Sequence, residues 1–218
     1  MQHKFEVDSI LLEFGTRRIL SDIYFKCETG KVTGILGRNG QGKTCLMNVV
    51  YGNLSPISKS IRFDDITIFQ AFKRPDLLTY LPQFNFIPSH LTLKRIFSDF
   101  DLAFSDFEIK FPEFSTKFNS SIKSLSGGQR RLIEVYVIIK SKSQFSMLDE
   151  PFSHLTPIQI EKVTELLEVE KSKKGFLITD HLFRYVTEIS DYLYVLKDSK
   201  THLIKDISEI ERLGYARF

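Results

Sequence analysis

Short apolar runs separated by polar, turn-forming segments open the chain. Residues 5–14 and 19–27 are two such runs, and the segment between them contains the turn-forming Gly15. We therefore predict two antiparallel strands joined by a loop. A further run over residues 61–69 is predicted to pair with them, which gives an N-terminal antiparallel β subdomain.

Beyond this subdomain, strands alternate with helices. The predicted strands are residues 32–36, 77–81, 144–148, 175–179 and 191–196. Helical patterns cover residues 43–50 and 157–170, and Pro157 suits the first turn of the second helix. This alternation predicts an α/β fold class with a mainly parallel sheet and crossover helices.

The middle of the chain has a different sequence pattern. Residues 84–124 contain no glycine and show helical spacing, and a helix is predicted to begin at the Ser126-Gly127-Gly128 turn and to last to Lys140. Because no internal repeat or low-complexity tract is present, we interpret the chain as one folded unit with an inserted helical subdomain.

A stripe of phenylalanines marks the inserted segment. Its members recur at steps of three and four residues: Phe97, Phe100, Phe104, Phe107, Phe111, Phe114 and Phe118. Pro112 excludes one continuous helix, so two or three short helices are predicted to share an apolar side. The simpler interpretation is a small hydrophobic core. The alternative is that some of these rings, with Phe84 and Phe86, line a groove that accepts a short helix of a membrane subunit.

Composition narrows the class of protein but names no partner. The chain has 218 residues, a net charge of +3 and 42% hydrophobic residues, which suffices for one large domain. The nearly balanced charge gives no sign of nucleic acid binding, and no apolar run approaches the roughly 18 residues of a membrane span. Cys27 and Cys45 are too few for a disulfide framework or a zinc cluster. We expect a soluble, cytosolic protein without a secretion signal.

Residues 37–44 read GRNGQGKT and match the phosphate-binding pattern G-x-x-x-x-G-K-[ST]. The loop lies between a strand and a helix, where backbone N–H groups and the helix dipole favour bound phosphate. Lys43 is expected to reach the β and γ phosphates, and the Thr44 hydroxyl to ligate Mg²⁺. This context outweighs the alternative of a glycine turn with a surface lysine. The predicted phosphate-loop contacts are Gly37, Asn39, Gly40, Gly42, Lys43, Thr44 and Cys45.

Two adjacent carboxylates, Asp149 and Glu150, follow the predicted strand 144–148. Ligands of α/β sheets bind at the carboxyl ends of the strands. We expect Asp149 to face magnesium and Glu150 to hold or deprotonate an attacking water. An Asp-Glu pair before Pro151 is by itself more often a solvated turn, so its weight comes from the neighbouring motifs.

A second glycine-containing helix start, LSGGQ at residues 125–129, follows about eighty residues after the first. One nucleotide does not need two such anion-binding helix starts. With this motif the chain resembles, over essentially its whole length, the ATP-binding cassette (ABC) ATPases, the nucleotide-binding subunits of ABC transporters. The resemblance implies ATP and Mg²⁺ as cofactors and a pair of cassettes, in which the signature of one closes over the ATP of the other. The implied signature contacts are Ser126, Gly127, Gly128 and Gln129.

The resemblance also implies roles for three isolated residues. Gln83, in YLPQ, is similar to the glutamine that contacts Mg²⁺ or the attacking water, and His181 to the switch histidine that contacts the γ-phosphate. Phe14 fits the aromatic residue that stacks on adenine, although it could equally end an apolar strand. The implied catalytic residues are Lys43, Gln83, Glu150 and His181, and the implied metal ligands are Thr44, Gln83 and Asp149.

Two positions depart from the family pattern. The loop after the acidic pair usually reads Ser-Ala-Leu-Asp, and here it is SHLT at residues 153–156. Thr156 therefore lacks the carboxylate that normally helps to couple the two sites. Ser146 interrupts a usually apolar strand, which matters less because a hydroxyl can bond to nearby backbone.

The resemblance implies one ABC ATPase domain over residues 1–218, with a P-loop NTPase core formed by residues 1–83 and 130–218 and a helical subdomain over residues 84–129. The implied function is ATP hydrolysis that drives transport by separate integral membrane subunits. The cassette, expected to be a homodimer, is then peripheral on the cytoplasmic face of the membrane, with no nucleic acid partner. GRNG, YLPQ and LITDH are similar to the ATPases of branched-chain amino acid importers and lipopolysaccharide exporters.

Two other functions stay open. One is a soluble cassette that uses ATP-driven closure in iron–sulfur cluster assembly, translation or repair. The other is a switch that binds ATP with little hydrolysis, for which the altered loop at residues 153–156 is the only support. The transported substrate and the direction of transport are left undetermined.

Overall fold

The computed structural model describes residues 2–212, in which two β-sheets are packed together with helices. The strands are β1 (Lys4–Phe14), β2 (Arg17–Leu20), β3 (Tyr24–Glu28), β4 (Val32–Leu36), β5 (Ser58–Phe63), β6 (Ile66–Thr67), β7 (Leu78–Leu81), β8 (Phe145–Asp149), β9 (Gly175–Thr179), β10 (Tyr192–Lys197) and β11 (Lys200–Ile204). The α-helices are α1 (Lys43–Tyr51), α2 (Leu93–Asp99), α3 (Phe104–Lys110), α4 (Gly127–Lys140), α5 (Pro157–Glu170), α6 (Phe183–Ile189) and α7 (Ser208–Arg212). Within these residues, no helix is both long and apolar enough to cross a membrane.

The first sheet is antiparallel, with the order β2-β1-β5-β6, and β3 pairs with β1 as well. The prediction of one strand over residues 19–27 is wrong, because β2 and β3 are separate strands. The backbone N–H groups of Ser21 and Asp22 turn away from β1 and donate to the Ser199 carbonyl, at 2.8 and 3.4 Å. The run over residues 61–69 is likewise divided into β5 and β6, at a turn where Asp64 and Asp65 have left-handed φ angles of 47° and 69°.

The second sheet confirms the predicted α/β class. Its order is β11-β10-β4-β9-β8-β7, and every neighbouring pair is parallel except β10 and β11. Every residue of β4, β8 and β9 is buried, as expected for parallel strands that are covered on both faces. On one face, α1 and the antiparallel sheet form a hydrophobic cluster, and on the other α4, α5, α6 and the inserted helices form a second.

The inserted helices lie between β7 and α4, where the helical subdomain is predicted, and the boundary at residues 84–129 stays a prediction. Met1 and residues 213–218 of the predicted domain lie outside the described residues. Five phenylalanines of the stripe are buried: Phe97, Phe104, Phe107, Phe111 and Phe114. The Phe107 ring lies 4.8 Å from that of Tyr136 on α4, measured between centroids. A hydrophobic core therefore accounts for most of the stripe.

Ser146, the polar interruption of β8, belongs to a buried cluster of hydroxyl groups around Lys174. The Lys174 ammonium donates to the Oγ atoms of Ser143 and Ser146, at 3.2 and 3.1 Å, and to the carbonyl of Ser141. Thr79 of β7 joins the cluster, with its Oγ1 2.8 Å from Ser146 Oγ. Lys174 is only 3% exposed, and this burial lowers its pKa from 10.5 to about 7.

The buried lysine predicts a pH dependence of stability. Between about pH 7 and pH 10.5 the unfolded chain holds a proton on Lys174 that the folded chain has lost. The Lys174 contribution to the free energy of unfolding therefore rises with pH across that window, by at most about 1.4 kcal/mol per pH unit, and is least favourable below pH 7. The free energy of unfolding is measured against pH by urea unfolding for the wild type and for Lys174→Met, and the difference between the two curves isolates the contribution of Lys174.

Lys173→Met is the matched control, because it removes a neighbouring lysine whose side chain is 62% exposed. Its curve should retain the wild-type slope between pH 7 and pH 10. A Lys174→Met curve that runs parallel to the wild type over this range contradicts the prediction.

Candidate nucleotide-binding site

Ten of the sixteen predicted site residues line one cavity of about 640 Å³ at the carboxyl edge of the parallel sheet, and Gly37, Asp149 and the signature residues 126–129 are not among the lining residues. Its lining residues are Phe14, Arg17, Ile19, Asn39, Gly40, Gly42, Lys43, Thr44, Cys45, Gln83, Glu150 and His181. All but Arg17 and Ile19 are residues that the sequence predicts for the site. Phe14 pairs with Arg17 across the β1–β2 turn, and this hairpin brings Arg17 and Ile19 of β2 to the rim of the cavity. The β1–β2 hairpin is therefore the signal that could have identified Arg17 and Ile19.

The phosphate loop leaves the end of β4 and enters α1 at Lys43. Gly40 and Gly42 have φ angles of +82° and +99°, a region that favours glycine, so the loop can turn tightly before the helix. Lys43 is buried, and its ammonium donates to the Gly37 carbonyl. Burial lowers the Lys43 pKa, while the charges of Glu150 and Asp149 oppose that shift.

Asp149 is buried at the end of β8, directly opposite Thr179 of β9. Its Oδ1 accepts a hydrogen bond from Thr179 Oγ1 at 2.7 Å, and its Oδ2 one from the Tyr80 hydroxyl at 3.3 Å. Burial raises the Asp149 pKa, whereas hydrogen bonds from Thr179 and Thr44 lower it. The Thr44 hydroxyl and the Asp149 carboxylate are thus adjacent oxygen atoms of the type that Mg²⁺ prefers, and this donor set fits the metal.

Glu150, Gln83 and His181 meet at the mouth of the cavity. The Gln83 amide Nε2 donates to Glu150 Oε2 at 3.0 Å, and His181 Nδ1 lies 3.8 Å from the same oxygen. His181 follows the buried Asp180, whose carboxylate accepts hydrogen bonds from the backbone N–H groups of Phe152 and Leu182. The segment that carries His181 is therefore tied to the segment that follows Glu150.

Phe14 stands at the end of β1 with 52% of its surface exposed, at the rim of the cavity. Its ring is thus available to a flat ligand. Thr156, the departure from the family loop, caps α5 instead, because its Oγ1 accepts the Gln159 N–H at 3.3 Å. Ser153 of the same loop donates to Glu150 Oε2 at 3.3 Å, so the loop still contacts the acidic pair.

The signature residues 126–129 begin α4, and the cavity lining within the described part of the chain does not include them. Ser126 caps the helix: its Oγ accepts the Gln129 N–H at 3.2 Å, and the Gln129 side chain accepts the Ser126 N–H at 3.3 Å. Ser126 and Gly127 are exposed. The structure thus separates the signature from the cavity of its own chain.

The chain is similar to proteins of one family. A family model described as "ABC transporter" matches residues 20–153. The lipopolysaccharide export system ATP-binding protein LptB of Escherichia coli K12 is 30% identical over 203 residues, 86% of this chain and 83% of the relative. The LptB of Acidithiobacillus ferridurans is 27% identical over 214 residues, 92% and 89% of the two chains. A solved ATP-binding subunit of an ABC transporter superposes with a TM-score of 0.78 at 20% identity, and the match covers 97% of this chain and 95% of the other.

The two signature glycines are predicted to differ in their tolerance of a side chain. A Cβ at Gly128 would lie 2.4 Å from the carbonyl oxygen of His154, whereas at Gly127 no described atom lies within 4 Å. We expect Gly128→Ala to lower the free energy of unfolding by about 1–3 kcal/mol, because backbone must move to relieve the clash.

Gly127→Ala is the matched control and should leave the urea midpoint of the isolated chain unchanged or slightly raised, since alanine favours a helix. Equal urea midpoints for the two variants would contradict the predicted clash between a side chain at position 128 and the His154 carbonyl.

Proposed function

The chain belongs to the ABC transporter family, and we propose that it is the subunit that hydrolyses ATP to power transport. The convergence of the phosphate loop with Gln83, Glu150 and His181 on one cavity carries this proposal. Binding alone requires the loop, whereas a carboxylate held beside an amide and an imidazole is suited to managing an attacking water.

In the proposed complex the phosphates of ATP lie along the loop and the start of α1, where backbone N–H groups and the helix dipole favour negative charge. Lys43 moves its ammonium from the Gly37 carbonyl to the β and γ phosphates. Phe14 stacks on the adenine at the rim. The adjacent oxygen atoms of Thr44 and Asp149, with Gln83, hold Mg²⁺, which shields phosphate charge when it is bound.

Glu150 orients the water for attack and takes its proton as the new bond to the γ-phosphorus forms. The bond between that phosphorus and the β–γ bridging oxygen breaks, and ADP leaves with the electron pair. The Gln83 amide, 3.0 Å from Glu150 Oε2, fixes the carboxylate, and His181 contacts the γ-phosphate. Catalysis on this account is mainly positioning and charge stabilisation.

We propose that two copies of the chain close on two ATP molecules. The exposed Ser126 and Gly127 lie outside the cavity of their own chain, which supports a role at the nucleotide of a second copy. The same proposal places the pair on the cytoplasmic face of a membrane, with integral membrane subunits as partners. The similarity to LptB supports a transport role and leaves the transported substrate unassigned.

The role of Glu150 predicts that Glu150→Gln lowers the ATPase kcat by about 10²- to 10⁴-fold, because an amide cannot accept the proton. ATP binding should persist, and an ATP-bound dimer should accumulate in size-exclusion chromatography. Glu161→Gln, an exposed position on α5, is the matched control and should keep the wild-type rate. Normal turnover by Glu150→Gln would refute the assignment, and an inactive wild type would favour the ATP-binding switch.

The membrane partner is tested through Phe84, which is 70% exposed in the loop after Gln83. Affinity isolation from detergent-solubilised membranes should recover a polytopic partner with the wild type. Recovery should fall several-fold for Phe84→Ser and Phe86→Ser, with ATP affinity unchanged. Ile109→Ser on α3 is the control, because Ile109 is an equally apolar residue that is 81% exposed. Recovery of ribosomes or DNA instead would favour a soluble role.

A further inference from the structure

Arg131 of α4 connects three parts of the candidate site, and neither the sequence motifs nor the cavity lining includes it. The side chain is only 2% exposed. Its Nη1 donates to the Pro82 carbonyl at 2.8 Å, and its Nη2 to the carbonyls of Asp149 and Glu150 at 2.6 and 2.9 Å. One guanidinium on the signature helix thus holds the backbone next to Gln83 and that of both acidic residues.

The Glu150 backbone is held in an unfavourable conformation. Its φ is +51°, in the left-handed region, which for a residue with a side chain is unfavourable by on the order of 1–3 kcal/mol. Both of its backbone polar groups are fixed: the N–H donates to the Thr179 carbonyl at 2.7 Å, and the carbonyl accepts the hydrogen bond from Arg131. Arg131 and the end of β9 therefore maintain the conformation in which the Glu150 carboxylate meets Gln83.

The same helix anchors the far end of the Gln83 loop. Arg130 donates to the Ile87 carbonyl, and Glu134 Oε1 accepts the Ile87 N–H at 3.3 Å. Glu134 is also buried, with its Oε2 3.9 Å from Arg131 Nη1, and so compensates part of the buried positive charge. Side chains of α4 thus bind the backbone at both ends of the loop over residues 83–86, at Pro82 and at Ile87, so the position of the loop follows that of the helix.

We propose that Arg131 is a positioning residue for hydrolysis, which holds Glu150 and Gln83 in mutual register and ties both to the signature helix. The inference rests on the proposed function, because it assumes that Glu150 manages the attacking water. The hydrogen bonds of Arg131 go to Pro82, Asp149 and Glu150, so its loss should affect turnover and leave ATP binding intact. A lysine preserves the charge, but its single ammonium cannot replace a planar fork that serves three carbonyls.

The test compares Arg131→Lys and Arg131→Gln with the wild type. We expect kcat to fall about 10- to 100-fold, the range typical of groups that orient a reacting residue, with KM for ATP within about two-fold. Turnover is counted per site that binds a non-hydrolysable ATP analogue, so unfolded protein does not enter the rate. Arg95→Lys is the matched control, because Arg95 of α2 is an exposed residue of the same type.

A double-mutant cycle separates positioning from general stability. In a Glu150→Gln background, measured by single-turnover hydrolysis, Arg131→Lys should cause no further loss if it acts through the Glu150 carboxylate. An equal fold loss in both backgrounds, a proportional loss of ATP affinity, or an unchanged kcat in Arg131→Lys would each overturn the inference. If Glu150→Gln hydrolyses ATP at the wild-type rate, the proposed function and the inference fail together. If Glu150→Gln is slow as expected and Arg131→Lys keeps the wild-type rate, only the inference is refuted.

Discussion

The parallel alignment of β10, β4, β9, β8 and β7 is the constraint on which the candidate site depends. Parallel strands end at the same edge of a sheet, so the segments that follow them are neighbours whatever their separation along the chain. The phosphate loop follows β4, Gln83 lies two residues beyond β7, the acidic pair ends β8, and His181 follows β9. β4, β8 and β9 are buried on both faces, so a one-residue shift in register would exchange the side chains that pack on the two faces, and this packing favours the observed alignment.

Charged side chains are concentrated where the strands end, and their burial disfavours the charged forms. Lys43, Arg131, Asp149 and Asp180 are all buried, and burial lowers the pKa of the two cations and raises that of the two carboxyls. Each group is stabilised by hydrogen bonds to backbone or hydroxyl partners. Burying these charges lowers folding stability, which is the usual compromise at a functional site.

The sequence was sufficient to predict the features that depend on local pattern, and insufficient for those that depend on distant partners. Strand 32–36, the helix over 157–170 and the phosphate loop follow from hydrophobic period and from glycine and proline placement, whereas the resemblance to the ABC ATPases supplied Gln83 and His181. The break between β2 and β3 depends on Ser199, more than 170 residues away, which no local signal marks. Lys174 likewise resembles a surface lysine in a run of lysines, and only the assembled sheet encloses it with hydroxyl groups. Arg131 sits in a pair of arginines whose buried member the sequence alone does not distinguish.

The contacts of Arg131 are made to backbone carbonyls, and this has a consequence for how the site is held together. A carbonyl is present whichever side chain a residue carries, so the link between α4, Gln83 and Glu150 does not depend on a matched partner side chain. It depends instead on the path of the backbone, including the left-handed turn at Glu150. Since Ser126 and Gly127 begin the same helix, the exposed signature is connected to the acidic pair through α4 and the Arg131 guanidinium. The separation of the signature from the cavity of its own chain is therefore bridged within the chain, by α4 itself.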